Sequence, residues 1–353
     1  MNDLILAKSA LDNIIKKSRI HLYKPIQIAE ILYHDRVYGD IDLSNLETYR
    51  TKSKKWRDEI SIILLGRKCT SSSRFQDDLF NSNALPPKLI SVLGNENRKK
   101  DGIVESYIYQ RFSNKHEQLY RALDYCLKSD KSVFSVKKFI DSFWKEPGLK
   151  RSIDKIYEII VFALFDTLVD VLNFKVTINV DKTKLHILED FGDFANKVMC
   201  ITTTTPFCVQ DAHVYRVGVT NAADRGLDMY SNWGPAIQIK HLTLDTELAK
   251  DIVNSVSSDK VVIVCKDAEV EIIQSILKQI GWGSHIQSII TESDLILWYD
   301  KALKGQFANE LGDELLSKLA GEIAEEFPSI DDIPNVIKDR KYNQIKDSFW
   351  TNN

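Results

Sequence analysis

Three side chains near the middle of the chain have the types and the spacing of a catalytic group. Asp228, Gln238 and Lys240 lie in two apolar-alternating arms around the turn-forming run 232–235, a pattern that predicts a β-hairpin. If the turn centres on Trp233, position 228 faces position 238, because the two are equidistant from it. Side chains alternate along a strand, so Lys240 shares this face, and a carboxylate, an amide and an ammonium converge there.

This trio predicts metal-assisted hydrolysis of a phosphodiester. A carboxylate with neighbouring oxygens suits a hard cation such as Mg²⁺, and the ammonium of Lys240 can orient or deprotonate a water or hold a phosphate. The prediction depends on the register, because a shift of one residue would exchange this face with the apolar face expected for Ile237 and Ile239. The alternative is an exposed hairpin that carries ordinary surface charges.

The residues around the hairpin resemble a known nuclease family. Gly226-Leu227-Asp228 and, nine residues later, Gln238-Ile239-Lys240 are similar to the PD-(D/E)xK nuclease motif, with Gln238 in place of the usual acid. The longer run from Arg216-Val217-Gly218 through Asp228 to His241-Leu242 resembles the HaeII-type family of type II restriction endonucleases.

The resemblance implies an activity and residue roles. It implies a Mg²⁺-dependent enzyme of a restriction-modification system that cuts double-stranded DNA at a GC-rich palindrome, purine-GCGC-pyrimidine, as a homodimer. Asp228 is then the metal ligand and Lys240 orients or activates the attacking water. Gln238 is a weaker ligand or positions water, with the Ile239 carbonyl as a substitute ligand, and Asp224 is the rival ligand if the register shifts.

A further acid, Glu158, lies in the strongest helical pattern of the chain, residues 152–174. Because apolar residues flank it, Glu158 lies either at the polar edge of the helix or near a metal. Related nucleases often use an acid from the helix ahead of the core sheet. Glu158 is therefore a candidate for the negative charge that Gln238 lacks.

The order of elements predicts an α/β (α+β) fold with a mixed central sheet flanked by helices, of the PD-(D/E)xK nuclease type. Strands are expected at 175–180, 214–220 and in the hairpin, and residues 185–188 are interpreted as a further strand. Strands alternating with helices over 246–304 indicate that part of the sheet is parallel. The predicted domains are a mostly helical recognition domain (1–148), a catalytic domain (149–310) and a C-terminal packing or dimerisation segment (311–353).

The charge distribution favours a polyanionic partner for the N-terminal half. Residues 1–150 hold 27 Lys and Arg against 19 Asp and Glu, whereas residues 151–353 hold 20 against 31. A basic helix around 49–57 is expected to bind DNA or to be an ordinary polar helix face. The predicted DNA contacts are Arg50, Lys52, Lys54, Lys55, Arg57, Asn221, Arg225 and His241.

The sequence does not support several other classes of protein. No apolar run is long enough to cross a membrane, and there is no Gly-rich phosphate loop, so no nucleotide cofactor is expected. Five scattered cysteines favour a reducing cytoplasm, and the family resemblance implies that this is the cytoplasm of a bacterium. Two alternatives stay open: a nuclease selective for branched or damaged DNA, and a DNA-binding protein whose missing acid at position 238 marks lost activity.

Overall fold

The chain forms two compact units. The computed structural model describes residues 2–18, 21–68, 78–145, 149, 152–217, 227–256, 258–279, 281, 283, 285–327, 333–345 and 347–351. The first unit combines residues 1–128, 138–153 and 323–353, and the second combines residues 129–137 and 154–322. The second unit contains the predicted hairpin. The functional roles assigned to the predicted domains stay predictions.

The N-terminal part of the first unit is helical, as predicted. The basic segment forms one helix, and a single long helix follows later in this unit. The helices are α1 (Asn2–Lys17), α2 (Tyr23–Tyr38), α3 (Arg50–Leu65), α4 (Pro87–Lys99), α5 (Ile103–Lys128) and α6 (Val136–Lys145).

The second unit carries the strands. A long apolar helix precedes them, and helices separate the later strands. In chain order the elements are α7 (Ile153–Val171), β1 (Lys175–Asn179), α8 (Leu185–Asp190), α9 (Gly192–Met199), β2 (Phe207–Asp211), β3 (Val214–Arg216), β4 (Met229–Ser231), β5 (Ala236–Leu244), α10 (Thr246–Ser255), β6 (Val261–Ala268), α11 (Val270–Gln279), β7 (Ile286–Thr291), α12 (Glu292–Lys304) and α13 (Ala308–Glu326).

The main sheet is mixed, as the sequence predicts. Its strand order is β3-β4-β5-β6-β7, in which β3, β4 and β5 are antiparallel and β5, β6 and β7 are parallel. Met229 pairs with Ile237 and Tyr230 with Ala236. This is the register that a turn centred on Trp233 requires, so the predicted hairpin and its register are confirmed.

Helices cover both faces of this sheet. Ala236 and Ile263 belong to a buried cluster with side chains of α10 and α11, such as Ile252 and Ile273. On the other face, Ile237 lines a groove together with side chains of α7. The predicted apolar packing of Ile237 is confirmed, but the opposite face is covered as well. Gln238 on that face is therefore buried and is only 2% exposed.

A small second layer corrects one predicted strand. β1 and β2 form an antiparallel ribbon, and the segment interpreted as a strand at 185–188 is the helix α8. The helix forms because Leu185 and Leu188, three residues apart, lie on one helical face and pack with Ile178 and Cys208 of the ribbon.

The C-terminal segment packs into the core of the first unit. The helices α14 (Ile333–Asp339) and α15 (Ser348–Thr351) follow α13. Ile333, Val336, Tyr342 and Trp350 are buried in the same hydrophobic cluster as α1, α2 and α5. This burial explains why residues 323–353 belong to the first unit, whereas the sequence pattern assigned them to a separate segment. Across the described ranges, every helix is too short or too polar to be a membrane span.

Candidate active site

Asp228 lies where the main-chain pairing of the hairpin stops. It directly precedes β4, and its Oδ2 accepts a hydrogen bond of 2.7 Å from the main-chain N–H of Ile239. The Gln238 Nε2 donates a second hydrogen bond to the same oxygen. The main-chain carbonyl of Asp228 accepts a bond of 2.9 Å from the Val217 N–H. The Asp228 side chain thus accepts the bond from Ile239 of β5 that a main-chain carbonyl would accept in a continuous ladder. The main chain of Asp228 is fixed on its other side by Val217, which follows β3.

Two further oxygens accompany this carboxylate. The Oε1 of Gln238 is buried and has no hydrogen-bond partner among the described residues. The carbonyl of Ile239 points to the same strand edge as its N–H, which bonds Asp228, because both groups of a strand residue face one neighbour. A buried polar atom without a partner is uncommon and calls for an explanation. The Gln238 amide lies beside the Asp228 carboxylate, and strand geometry turns the Ile239 carbonyl toward the same strand edge.

The surroundings of Asp228 change the pKa of its carboxyl group. Burial raises the pKa of the Asp228 carboxyl above its usual value, and the hydrogen bond from the Ile239 N–H opposes that effect. The positive charges of Lys240 and Lys155 also lower this pKa, whereas Asp154 raises it. The predicted Lys240 therefore acts on the carboxylate electrostatically, and its side chain is partly exposed.

Lys155 was missed by the sequence reasoning. It lies near the start of α7, and its Nζ is 2.5 Å from the Oε2 of Glu158, with both side chains largely buried. Glu158 is therefore linked to the site through an ammonium group, and a direct role in metal binding stays a prediction. The sequence held a signal for this ion pair, because residues three apart lie on the same face of a helix, where Lys155 and Glu158 can pair.

His241 is at the edge of the site. Its Nδ1 contacts Oδ1 of Asp154, which is on the first turn of α7. The pair joins β5 to α7 next to the groups around Asp228. A contact of His241 with DNA stays a prediction, and Asn221, Arg225 and the rival ligand Asp224 lie outside the described residues.

The remaining predicted DNA contacts are on α3, in the first unit. Lys52, Lys54 and Lys55 are exposed and Arg50 is partly exposed. Weak surface pairs join Lys52 to Asp40 and Lys55 to Glu59, with N–O distances of 4.0 and 3.7 Å.

Arg57 on the same helix corrects the prediction. Its side chain is fully buried, where it donates hydrogen bonds to Asp58 and Gln27. A phosphate cannot reach this guanidinium in the folded chain, because α3 turns Arg57 toward α2 and away from solvent.

The oxygen groups around Asp228 fit Mg²⁺. This ion keeps several waters and commonly binds one or two protein carboxylates together with substrate phosphate. Asp228 supplies one carboxylate, and the unpaired Gln238 Oε1 and the Ile239 carbonyl are neutral oxygen ligands. In the described ranges, no three or more His, Cys, Asp and Glu side chains cluster as a metal site.

Comparisons with known proteins identify the family. The HaeII restriction endonuclease family profile matches residues 7–342. The type II restriction enzyme HaeII of Haemophilus aegyptius is 53% identical over 349 residues, covering 98% of this chain and 99% of that protein. The type II restriction enzyme NgoBI of Neisseria gonorrhoeae is 56% identical over 326 residues, covering 92% of each chain. No solved structure matches the chain. The resemblance noted over residues 216–242 is confirmed and extends over nearly the whole length, so this chain belongs to the HaeII restriction endonuclease family.

Proposed function

We propose that this protein is a type II restriction endonuclease that hydrolyses double-stranded DNA with Mg²⁺. Its proposed target is a GC-rich palindrome, purine-GCGC-pyrimidine. The observation that carries the proposal is the hydrogen-bonded group of Asp228, Gln238 and Ile239 at the end of the hairpin. This group supplies hard oxygen ligands beside two lysines, which is what metal-assisted phosphodiester hydrolysis requires.

The residues divide the chemistry between them. Asp228, the Gln238 Oε1 and the Ile239 carbonyl would hold the metal. When bound, Mg²⁺ supplies charge neutralisation for the phosphate and a lower pKa for a coordinated water. Lys240 orients the water that attacks phosphorus and stabilises the charge that develops on the phosphate oxygens. Lys155 adds a second positive charge and holds Glu158 by an ion pair.

Gln238 distinguishes this site from a PD-(D/E)xK nuclease with two acids. Its amide contributes an oxygen without a charge, so the site attracts a divalent cation less strongly than a two-acid site does. A DNA-binding protein without activity is the alternative that such a replacement suggests. The high identity to two proteins named as restriction enzymes favours cleavage.

Cleavage of a plasmid of known sequence tests the proposal. The purified protein is incubated with the plasmid in Mg²⁺ or in chelator, and the ends of any fragments are mapped. We expect discrete fragments only with Mg²⁺, with ends that share one short palindrome. Absence of cutting together with salt-sensitive DNA binding would support the inactive binder. Cutting only at branched or damaged DNA would support a structure-selective nuclease.

A further inference from the structure

Two stacked tyrosines, Tyr215 of β3 and Tyr230 of β4, stand on an open face of the main sheet and are here called the tyrosine pair. They are opposite each other in the antiparallel ladder, and their ring centroids are 5.0 Å apart with an interplanar angle of 22°. The two residues are 40% and 43% exposed. Side chains stand roughly perpendicular to a sheet, so the hydroxyl ends of both rings project toward solvent.

The register places the tyrosine pair beside the candidate active site. The hydrogen bond from the Val217 N–H to the Asp228 carbonyl continues the pairing of β3 with β4. Residues two apart along a strand lie on one face about 7 Å apart, so Tyr230 is that far from Asp228. Tyr230 also pairs with Ala236, which is two residues before Gln238 on β5. The tyrosine pair therefore shares a sheet face with the candidate ligands.

This sheet face is covered on one side of Asp228 and open on the other. Over β5 and β6, side chains of α10 and α11 pack on it and bury Ala236 and Ile263. Gln238 beside them is 2% exposed. Over β3 and β4 the tyrosine pair is exposed, and Asp228 at the border is half-buried. A phosphodiester bound at Asp228 therefore has the tyrosine pair as its neighbour on the open side.

The chemistry of the tyrosine pair suits a DNA strand. A phenolic hydroxyl donates a hydrogen bond, and tyrosine is among the side chains that contact DNA phosphates. Because the rings stack on each other, little conformational freedom is lost when they bind a ligand. A cross-strand aromatic pair also stabilises a sheet. That structural role does not need the two hydroxyl groups, since phenylalanine rings stack as well.

We propose that the hydroxyl groups of Tyr215 and Tyr230 donate hydrogen bonds to phosphates of the DNA strand that is cut, close to the scissile phosphodiester. Successive phosphates of one strand are about 3.4 Å apart along the helix axis, so a distance of about 7 Å corresponds to about two nucleotides. The inference deepens the proposed function and rests on it, because that function assigns the scissile phosphodiester to Asp228. These contacts position the strand and read no bases.

The first test is the affinity for a duplex, measured in chelator. The duplex carries the palindrome mapped by plasmid digestion or, if nothing is cut, purine-GCGC-pyrimidine. Tyr215→Phe and Tyr230→Phe keep the rings and remove the hydroxyl groups. We expect each variant to bind about 10-fold more weakly, because a hydrogen bond to a charged phosphate is lost. The melting temperature should stay that of the wild type, because ring stacking is retained.

A second test identifies the phosphates. Uncharged methylphosphonate groups replace the phosphates of the palindrome one at a time. For the wild type, replacing a contacted phosphate should weaken binding about 10-fold. For Y215F/Y230F the same replacement should have little further effect, because the hydroxyl groups are already absent. The control Tyr125→Phe removes a hydroxyl from a partly exposed tyrosine of α5 and should respond to every replacement like the wild type.

Cleavage kinetics separate the tyrosine pair from the metal ligands. A contact that is made equally in the bound state and in the transition state changes affinity and leaves the rate at saturation unchanged. With enzyme in saturating excess over DNA, we therefore expect Y215F/Y230F to cleave within about 3-fold of the wild-type rate.

Three outcomes would overturn the inference. They are phenylalanine variants that bind like the wild type, methylphosphonates that all act equally on the wild type and on Y215F/Y230F, and a coupled phosphate much farther than about two nucleotides from the mapped cut. A protein that shows the coupling but cuts no DNA contradicts the proposed function and leaves the phosphate contacts intact. Cleavage by the wild type together with uncoupled phenylalanine variants does the reverse.

Discussion

The Asp228 carboxyl is the residue on which the proposed chemistry depends. It is half-buried, it accepts two hydrogen bonds, and lysine charges lie near it. We expect Asp228→Asn to reduce Mg²⁺-dependent cleavage by about 1000-fold or more, because the remaining ligands are neutral. DNA binding in chelator should change little. The measurements are single-turnover cleavage and a binding titration, and a variant that retains cleavage would remove Asp228 from the mechanism.

The pKa of Asp228 gives a prediction about stability as well. Burial raises this pKa in the folded chain. At pH values between the usual Asp pKa and the raised pKa, the native state therefore binds a proton that the unfolded state has released. The contribution of Asp228 to stability therefore decreases as pH rises from the usual Asp value through the raised pKa. Without metal, Asp228→Asn should remove this decrease and melt no lower than the wild type at neutral pH. Melting temperatures measured in chelator across this pH range test the sign.

Gln238 offers a complementary change. Gln238→Glu places a second carboxylate against Asp228, where the amide now donates a hydrogen bond. Two like charges in a buried site repel each other, and a divalent cation relieves the repulsion. We expect the variant to melt lower than the wild type in chelator and to gain more stability than the wild type when Mg²⁺ or Mn²⁺ is added. Gln238→Met is the matched control without charge.

Equal effects of metal on the wild type and on Gln238→Glu would contradict a metal site at this position. The readout is a melting temperature, so the result does not depend on whether the enzyme cuts.

At the scale of elements, the C-terminal segment is held by buried ion pairs. Arg340 donates hydrogen bonds of 2.7 and 3.0 Å to the two carboxylate oxygens of Glu30 on α2, and Tyr109 donates another of 2.6 Å. Nearby, the Tyr342 hydroxyl bonds Glu105, which Arg36 also contacts. These pairs join residues that are far apart in the sequence into one core.

Arg340→Met tests this connection. The change leaves the buried Glu30 carboxylate without its positive partner, and the loss of one member of a buried pair destabilises by roughly 3–5 kcal/mol. We expect a loss of this size in denaturant unfolding, whereas Lys338→Ala, at an exposed position of α14, should change stability by less than about 0.5 kcal/mol. A small effect of Arg340→Met would mean that the C-terminal segment contributes little to the first unit.

Some elements of the fold were predictable from the sequence and others were not. The hairpin register was predictable because the turn residues and the alternating pattern agree on a centre at Trp233. The helix α8 was misread because a run of four residues with two leucines suits a short strand as well as a helix, and only packing against the ribbon decides. The Arg57 side chain bonds Gln27 of another helix, so periodicity alone could not show that this base is buried. Lys155 and Glu158 are three residues apart on one helix, so their pairing could have been predicted from the sequence.

For the whole molecule, the charge distribution favours DNA binding by the N-terminal half, which stays a prediction. The basic excess of residues 1–150 includes three exposed lysines of α3, Lys52, Lys54 and Lys55, whose surface ion pairs are weak. Each phosphate contact that releases a counterion contributes about 0.9 to the slope of the logarithm of affinity against the logarithm of salt concentration. The number of lysines that contact phosphate is therefore measurable without a structure of the complex.

We expect the triple variant K52A/K54A/K55A to reduce the magnitude of this slope by up to about 2.7, because three contacts are lost. The affinity should fall by a similar factor for DNA with and without the palindrome, because phosphate contacts carry no sequence information. The matched control replaces three exposed lysines of the second unit, Lys278, Lys301 and Lys304, and should leave the slope nearly unchanged. If the control changes the slope and the α3 variant does not, phosphate binding belongs to the second unit, and the basic face of α3 is an ordinary solvated surface.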